Sequence, residues 1–261
     1  MKRSTKIWLI SASALVILGA ITFTIALALS NFDISRLSLE KYETNTHSIG
    51  EEITEILIEC DTADVIIVTA KDSAYVECYE DKALRHDVTL QDGKLTVKVS
   101  DDKRWYQYVD FNFDSPKITV AIPEGEYDKL SVKVSTGDVE INEGFYFTDI
   151  SVTLSTGDLI LSGITCNTLS SEGSTGDVSL KNVFAKALAD IKRSTGDIYC
   201  EGFDAGEIKI KTSTGDVYGS LLTEKVFHTN TSTGSINVPK TDSGESCHIE
   251  TSTGDITVKI G

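Results

Sequence analysis

Apolar and polar residues alternate at period two along most of the chain after residue 50, and the pattern recurs every 19 or 20 residues. Each repeat is marked by one tetrapeptide, Ser-Thr-Gly-Asp, which ends in serine in one copy. The copies are Ser135–Asp138, Ser155–Asp158, Ser174–Asp177, Ser194–Asp197, Ser213–Asp216, Ser232–Ser235 and Ser252–Asp255. Seven copies at such regular spacing identify a repeat protein in which each copy is one structural unit.

The residues that flank each tetrapeptide predict two short strands. Counted from the first serine of a copy, apolar residues recur five and three positions before it and four and six positions after it. In the second copy these positions hold Ile150, Val152, Leu159 and Leu161. Because side chains alternate across a strand, the pattern is typical of strands with one buried face. Each unit therefore predicts a strand, a Ser-Thr-Gly-Asp corner, a second strand and a looser return.

The repeat predicts an all-β fold, because a unit of 19–20 residues cannot bury its own apolar face. Stacked coils can bury it when each coil pairs with the next at about 4.8 Å. We therefore predict a single-stranded β-solenoid (a β-helix) over residues 51–261, with irregular insertions at 71–125. Two degenerate corners, Asp61–Asp64 and Gln91–Lys94, predict further coils upstream of the regular repeats.

The N-terminal segment predicts one transmembrane helix that acts as a signal anchor. Ile7–Leu29 contains no charged residue, and its 23 residues span about 30 Å as a helix. Three basic residues precede it and none follows until Arg36, so the positive-inside rule predicts a cytoplasmic N-terminus at 1–6 and an extracytoplasmic body. A cleaved secretory signal that ends at Ala26–Ala28 is the alternative. Residues 30–50 are predicted as a stalk that leads into the body.

The charge balance argues against several classes of partner. The chain has 24 Lys and Arg against 40 Asp and Glu, which gives a formal net charge of −16. Nucleic acids and anionic lipid surfaces repel such a chain. Cations, basic proteins and neutral glycans remain as partner classes.

The Gly-Asp corner has two interpretations. In the first it is conformational, because glycine adopts positive φ and aspartate bonds nearby backbone donors at turns. In the second it binds cations, because stacked coils would align carboxylates that calcium could neutralise. The predicted calcium ladder consists of Asp138, Asp158, Asp177, Asp197 and Asp216. No other cofactor is predicted.

The remaining candidates for chemistry predict no catalytic site. The number of cysteines is odd, with no metal-ligand spacing, and buried free thiols are predicted at Cys60, Cys78, Cys166, Cys200 and Cys247. The four histidines are scattered and have no carboxylate partner at ligand spacing. His228 and His248 fall at the same repeat position and are predicted to stack on an outer face. Without a recognisable catalytic motif, the prediction is a protein that is not an enzyme.

One segment outside the regular repeats is rich in aromatic residues. Arg104–Phe113 reads RWYQYVDFNF, which predicts an amphipathic hairpin that caps or flanks the solenoid. The alternative is an aromatic platform for sugars or for a partner strand. The candidate binding residues on this platform are Trp105, Tyr106, Tyr108 and Phe111.

The Ser-Thr-Gly-Asp corners, preceded by the strand Lys117–Pro123, resemble those of the bacterial putative-adhesin family. The resemblance covers residues 55–261. It implies a β-solenoid on the outer side of a membrane, in a family of unknown function that includes proteins of envelope-stress loci. It carries no binding residues over to this chain.

These observations predict a membrane-anchored, non-enzymatic module of the cell envelope that acts as an adhesin or a scaffold. Its expected partners are the membrane, through the N-terminal helix, and an envelope polysaccharide or a membrane protein. Self-association is predicted at the C-terminal coil, because that coil ends at Ile260 without a cap. The alternatives are a glycan-processing enzyme on a β-helix scaffold and a calcium-binding surface repeat protein.

Overall fold

The computed structural model describes residues 3–29, 42–82, 85–100 and 115–261. These residues form one helix, α1 (Arg3–Leu29), and a body of β-strands, which belong to different compact units. The strands are β1 (Tyr42–Ser48), β2 (Glu55–Thr62), β3 (Asp64–Thr69), β4 (Tyr75–Asp81), β5 (His86–Gln91), β6 (Lys94–Val99), β7 (Lys117–Ile122), β8 (Gly125–Thr136), β9 (Val139–Ile141), β10 (Phe145–Thr156), β11 (Leu159–Ser162), β12 (Thr165–Thr175), β13 (Val178–Lys181), β14 (Phe184–Thr195), β15 (Ile198–Thr214), β16 (Val217–Leu221), β17 (Lys225–Thr233), β18 (Ile236–Asn237), β19 (Glu245–Thr253) and β20 (Ile256–Ile260).

The N-terminal helix has the length and composition of a membrane span. Its apolar segment Trp8–Leu29 is 22 residues long and falls within the helix predicted from the sequence. Large apolar side chains of this segment, such as Trp8 and Leu29, are exposed. Because a hydrocarbon core is about 30 Å thick, a helix of this length is sufficient to cross it. Insertion into a membrane and the orientation of the helix remain predictions.

The body is all-β and solenoid-like, as the repeat predicts. Each coil contributes a longer strand before its corner and a shorter strand after it, and these form a long-strand sheet and a short-strand sheet. Neighbouring coils pair in parallel and in register, so that Ile150 lies between Leu130 and Leu169. These side chains face inward and are buried, which produces one core between the two sheets.

All five cysteines lie in this core as free thiols, which confirms the prediction. Burial raises the pKa of each thiol to about 12. Since the thiolate is the reactive form, the thiols in this state behave as small apolar groups rather than nucleophiles.

The coils are not stacked in sequence order at the C-terminal end. The last long strand, β19, pairs with β15 on one side and with β17 on the other. Its partner β20 lies between β16 and β18 in the same way. The C-terminal coil is therefore inside the stack, and the prediction that it offers a free edge for self-association is wrong. In the described part of the body, β17 and β18 are paired on one side alone, and Ile236 is 44% exposed there.

A buried lysine connects the coils in this changed order. Lys225 begins β17, and its ammonium group lies 2.6 Å from Asp204 Oδ1, two coils away. The same ammonium group donates to the Ala205 carbonyl at 2.7 Å and lies 3.1 Å from the Glu245 carboxylate in the inserted coil. The Lys225 side chain thus contacts both the inserted coil, at Glu245, and the coil beyond it, at Asp204 and Ala205.

The N-terminal end of the stack is also rearranged. β2 lies between β6 and β8, and β3 lies between β7 and β9, although β6 and β7 come later in the chain. The prediction of a coil corner at Gln91–Lys94 is wrong. Asp92 and Gly93, at φ 50° and 78°, form a two-residue hairpin turn between antiparallel β5 and β6. Paired positive φ values at Asp-Gly are typical of such hairpins.

Antiparallel strands cover this end of the stack. β5 pairs with β6 in the long-strand sheet, and β1 pairs with β4 in the short-strand sheet. β1 falls inside the segment 30–50 that was predicted as a stalk, of which residues 30–41 lie outside the described residues. The two sheets are therefore closed at this end by strands of opposite direction.

Candidate functional site

The Ser-Thr-Gly-Asp corners stack into one column of hydrogen bonds along the body. The backbone N–H of each corner aspartate donates to Oδ1 of the aspartate in the adjacent coil, as Asp177 does to Asp158 at 2.7 Å. The column begins at Asp64 in the degenerate corner and ends at Ser235. The Ser235 N–H donates to Asp255, and among the described strands no further coil follows Ser235 to accept from it in turn. This geometry supports the conformational interpretation of the corner.

The predicted calcium ladder is this same column. The structure adds Asp64 and Asp255 to the five aspartates predicted from the sequence. One oxygen of each carboxylate in the column accepts a backbone N–H, and the residues are exposed or half-buried. Calcium binding by the column stays a prediction.

Two substitutions at Asp158 separate the roles of its charge and its hydrogen bond. Asp158→Ala removes the acceptor for the Asp177 N–H, and we expect it to lower the free energy of unfolding by about 0.5–1.5 kcal/mol. Asp158→Asn keeps an acceptor and removes one charge from the column, so its stability should equal or exceed that of the wild type. Urea denaturation followed by circular dichroism measures both. Equal losses for the two variants would contradict this assignment, and a calcium-dependent rise in stability that Asp158→Asn abolishes would support the calcium ladder.

The outer face of the short-strand sheet presents two tyrosines side by side. Tyr199 on β15 is paired in register with Tyr218 on β16, and their ring centroids are 5.2 Å apart at an interplanar angle of 41°. Tyr218 is 41% exposed, and the Tyr199 hydroxyl donates to Glu201 at 3.2 Å. The rings project outward because Ile198 and Cys200, on either side of Tyr199, point into the core.

The residues in register with these rings are uncharged, whereas Lys181 and Glu201 lie two positions further along the same face. In register beside Tyr199 lies Ser179, followed by Ile160, which is 36% exposed. Thr257 lies in register on the other side of Tyr218. We call these five residues the tyrosine face: Ile160, Ser179, Tyr199, Tyr218 and Thr257. Parallel in-register pairing holds their spacing, so the face is positioned by backbone ladders rather than by loops.

The sequence reasoning did not single out the tyrosine face. Tyr199 and Tyr218 both stand five positions after the first serine of their copies, between the inward positions four and six. Two aromatic residues at the same outward position of successive copies were a sufficient signal. The residues that were predicted instead, Trp105, Tyr106, Tyr108 and Phe111, lie outside the described residues. The predicted stacking of His228 on His248 is confirmed, with ring centroids 4.6 Å apart.

A buried polar cluster occupies the covered N-terminal end of the core. Glu80 on β4 and His86 on β5 are both buried, and His86 Nδ1 lies 2.7 Å from Glu80 Oε2. That oxygen also accepts the His86 backbone N–H at 2.6 Å, while Oε1 accepts from Asn45 Nδ2 at 2.7 Å. The expectation that no histidine has a carboxylate partner is therefore wrong for His86, because folding brings together residues on two strands.

The family model that matches this chain is Toastrack DUF4097, over residues 53–261. The chain belongs to the Toastrack DUF4097 family. The match covers the coils, the corner column and the tyrosine face, and the N-terminal helix lies outside it. No curated protein matches the chain.

Solved structures similar to this Toastrack DUF4097 chain have low sequence identity. A putative adhesin from Bacteroides fragilis NCTC 9343 is 15% identical with a TM-score of 0.44, over 85% of this chain and 97% of that chain. A putative cell adhesion protein from Clostridium sporogenes ATCC 15579 is 12% identical with a TM-score of 0.38, over 85% and 100%. A putative lipid binding protein from Parabacteroides distasonis ATCC 8503 is 14% identical with a TM-score of 0.30, over 84% and 97%.

Proposed function

We propose that this chain is a membrane-anchored, extracytoplasmic, single-stranded β-solenoid that acts as a non-enzymatic binding module of the cell envelope. Its ligand is an uncharged envelope polysaccharide, held against the tyrosine face. The N-terminal helix keeps the module at the membrane surface. The module binds the polysaccharide without cleaving it.

The observation that carries this proposal is the pair of half-buried Tyr199 and exposed Tyr218 on the outer face of a regular sheet. Aromatic rings offer flat apolar surfaces with a hydroxyl at the edge, which suits the alternating C–H and O–H surfaces of a sugar ring. The ring centroids are 5.2 Å apart at an interplanar angle of 41°, so the two rings contact each other and form one aromatic cluster on this face. Ser179, Thr257 and the Glu201 carboxylate beside the rings supply hydrogen-bond partners for sugar hydroxyls.

The charge of the chain supports an uncharged ligand. A formal net charge of −16 repels anionic polymers at long range, whereas a neutral polysaccharide approaches without that penalty. The apolar segment Trp8–Leu29 supports a position at a membrane, where wall polymers are within reach.

The test is co-sedimentation of the full chain in detergent micelles with purified insoluble cell-wall polysaccharide. We expect saturable retention that the double variant Tyr199→Ala/Tyr218→Ala weakens about tenfold or more, or about 1.4 kcal/mol. Tyr146→Ala is the matched control, because Tyr146 lies on the other sheet with Lys186 over its ring. Circular dichroism establishes that each variant is folded.

Three outcomes would overturn the proposal. Retention that is unchanged in the double tyrosine variant would remove the tyrosine face as the site. Release of soluble sugars from the polysaccharide would indicate a glycan-processing enzyme. Failure to bind polysaccharide, together with retention of solubilised membrane proteins, would make the chain an accessory subunit.

A further inference from the structure

Three metal-ligating side chains converge in the buried polar cluster at the N-terminal end of the core. Cys78 and Glu80 are alternate residues of β4, so both point inward, and His86 begins β5 on the facing sheet. A sulfur, a carboxylate oxygen and an imidazole nitrogen of these residues all lie within 4.8 Å of one another. Among the described residues, this is the one place where three such ligands meet. We propose that Cys78, Glu80 and His86 bind a single zinc-class transition-metal ion.

The donor set selects this class of ion. Thiolate and imidazole are ligands for zinc and its neighbours, whereas calcium and magnesium prefer oxygen alone. Zinc bonds of about 2.0–2.3 Å place tetrahedral ligand atoms roughly 3.3–3.8 Å apart, which is compatible with the observed convergence. The fourth position is open to water or to His47, which lies two residues from Asn45 on the same face of β1.

A second observation points to the same ion. His86 is only 6% exposed, and its Nε2 atom is buried without a hydrogen-bond partner. A buried polar atom without a partner is costly, and a metal ion would satisfy it. Without metal, Nδ1 contacts Glu80 Oε2, so Nε2 and Glu80 bind one ion only after that contact breaks and the imidazole turns toward the ion. Asn45 holds the other oxygen of Glu80, in the manner of side chains that orient metal ligands.

Binding changes the protonation of the cluster in a balanced way. Cys78 is a neutral thiol in this structure, because burial raises its pKa to about 12. The incoming divalent ion displaces the thiol proton to solvent and forms a bond to the sulfur. The thiolate and carboxylate charges then neutralise the ion inside the core, so that no net charge is left buried.

The experiment uses the full chain in detergent micelles, treated with a chelator and then titrated with Co²⁺. We expect one ion per chain, with the visible absorption of four-coordinate cobalt, a thiolate-to-cobalt charge-transfer band, and displacement by Zn²⁺ but not by Ca²⁺. The melting temperature of the chain should rise when the metal is bound, because the ion binds the folded state.

Two variants and two controls test the assignment. Cys78→Ser should abolish the charge-transfer band, and His86→Gln should weaken Co²⁺ binding at least about tenfold. Cys166→Ser and His228→Gln are the matched controls, since Cys166 is an equally buried thiol and His228 lies elsewhere in the body. The controls should bind Co²⁺ as the wild type does.

The proposal fails if the wild-type chain shows no saturable Co²⁺ binding, which can be measured without any variant. It also fails if Cys78→Ser keeps the charge-transfer band, or if His86→Gln binds Co²⁺ like the wild type while folded. In those cases Glu80 and His86 form a buried hydrogen-bonded pair and do not bind a metal ion. Because the readout is cobalt absorption, the result is independent of polysaccharide binding at the tyrosine face.

Discussion

Gly157→Ala will lower the free energy of unfolding by about 2–5 kcal/mol, because backbone strain and overpacking against the adjacent coil each contribute. Gly157 has φ 136°, a conformation that residues with a side chain rarely adopt. A Cβ at this position would lie 2.0 Å from the carbonyl oxygen of Gly137 in the adjacent coil. The obstacle is the backbone of that adjacent coil, so the clash is relieved only by moving the two coils apart.

Urea denaturation of the full chain in detergent micelles, followed by circular dichroism of the strands, measures this loss. Gly50→Ala is the matched control, because nothing lies within 4 Å of a Cβ added at Gly50. We expect the control to remain within about 0.5 kcal/mol of the wild type. If Gly157→Ala were as stable as Gly50→Ala, close coil contact at the corner would not be the reason for the repeated glycine.

Lys225→Met should destabilise the C-terminal half of the body by about 3–5 kcal/mol. Lys225 and Asp204 each expose 2% of their side chains, and the substitution leaves the Asp204 carboxylate buried without its cation. The double variant Lys225→Met/Asp204→Asn should be more stable than Lys225→Met, because no uncompensated charge is then buried. The same denaturation measurements, combined with hydrogen exchange of β17 and β19, report the loss and its location.

A surface ion pair provides the comparison for Lys225. Lys209 lies 2.9 Å from Glu207, with side chains 46% and 41% exposed, so Lys209→Met should cost at most about 1 kcal/mol. If Lys225→Met cost no more than Lys209→Met, the order of the last three coils would be maintained without the buried pair. If hydrogen exchange in β17 becomes faster in Lys225→Met but not in Lys209→Met, the result would support a role for Lys225 in holding β17 in place.

The repeat unit and its inward positions were readable from the sequence because both are local. Alternation at period two reports which side of a strand is buried, and a Gly-Asp corner reports a backbone turn, wherever the unit is in the stack. The inward positions predicted around Ser155 are buried at Ile150, Val152, Leu159 and Leu161. The free thiols followed from the same reasoning, since cysteines at inward positions occupy the core.

The same local reasoning could have found the tyrosine face, although it was overlooked. The cluster of Cys78, Glu80 and His86 could not be found in that way. Tyr199 and Tyr218 occupy one repeat position, so their contact follows from the register. Glu80 and His86 stand on opposite sheets in an irregular part of the chain, and Cys78 joins them through the alternation of β4. No repeat relates these positions, so their meeting depends on how the end of the stack closes.

The sequence by itself determined the coil: its length, its corner, its inward residues and the apolar helix that precedes the body. The tertiary structure decided which coils are neighbours. Coils with the same inward pattern and corner can pair with one another equally well, so period and propensity leave their order open. Specific contacts between distant residues settle it, such as Lys225 with Asp204 and the Ser235 N–H with the Asp255 carboxylate. Ser235 lacks a carboxylate because its coil ends the column, and only the folded structure shows that this coil is the last.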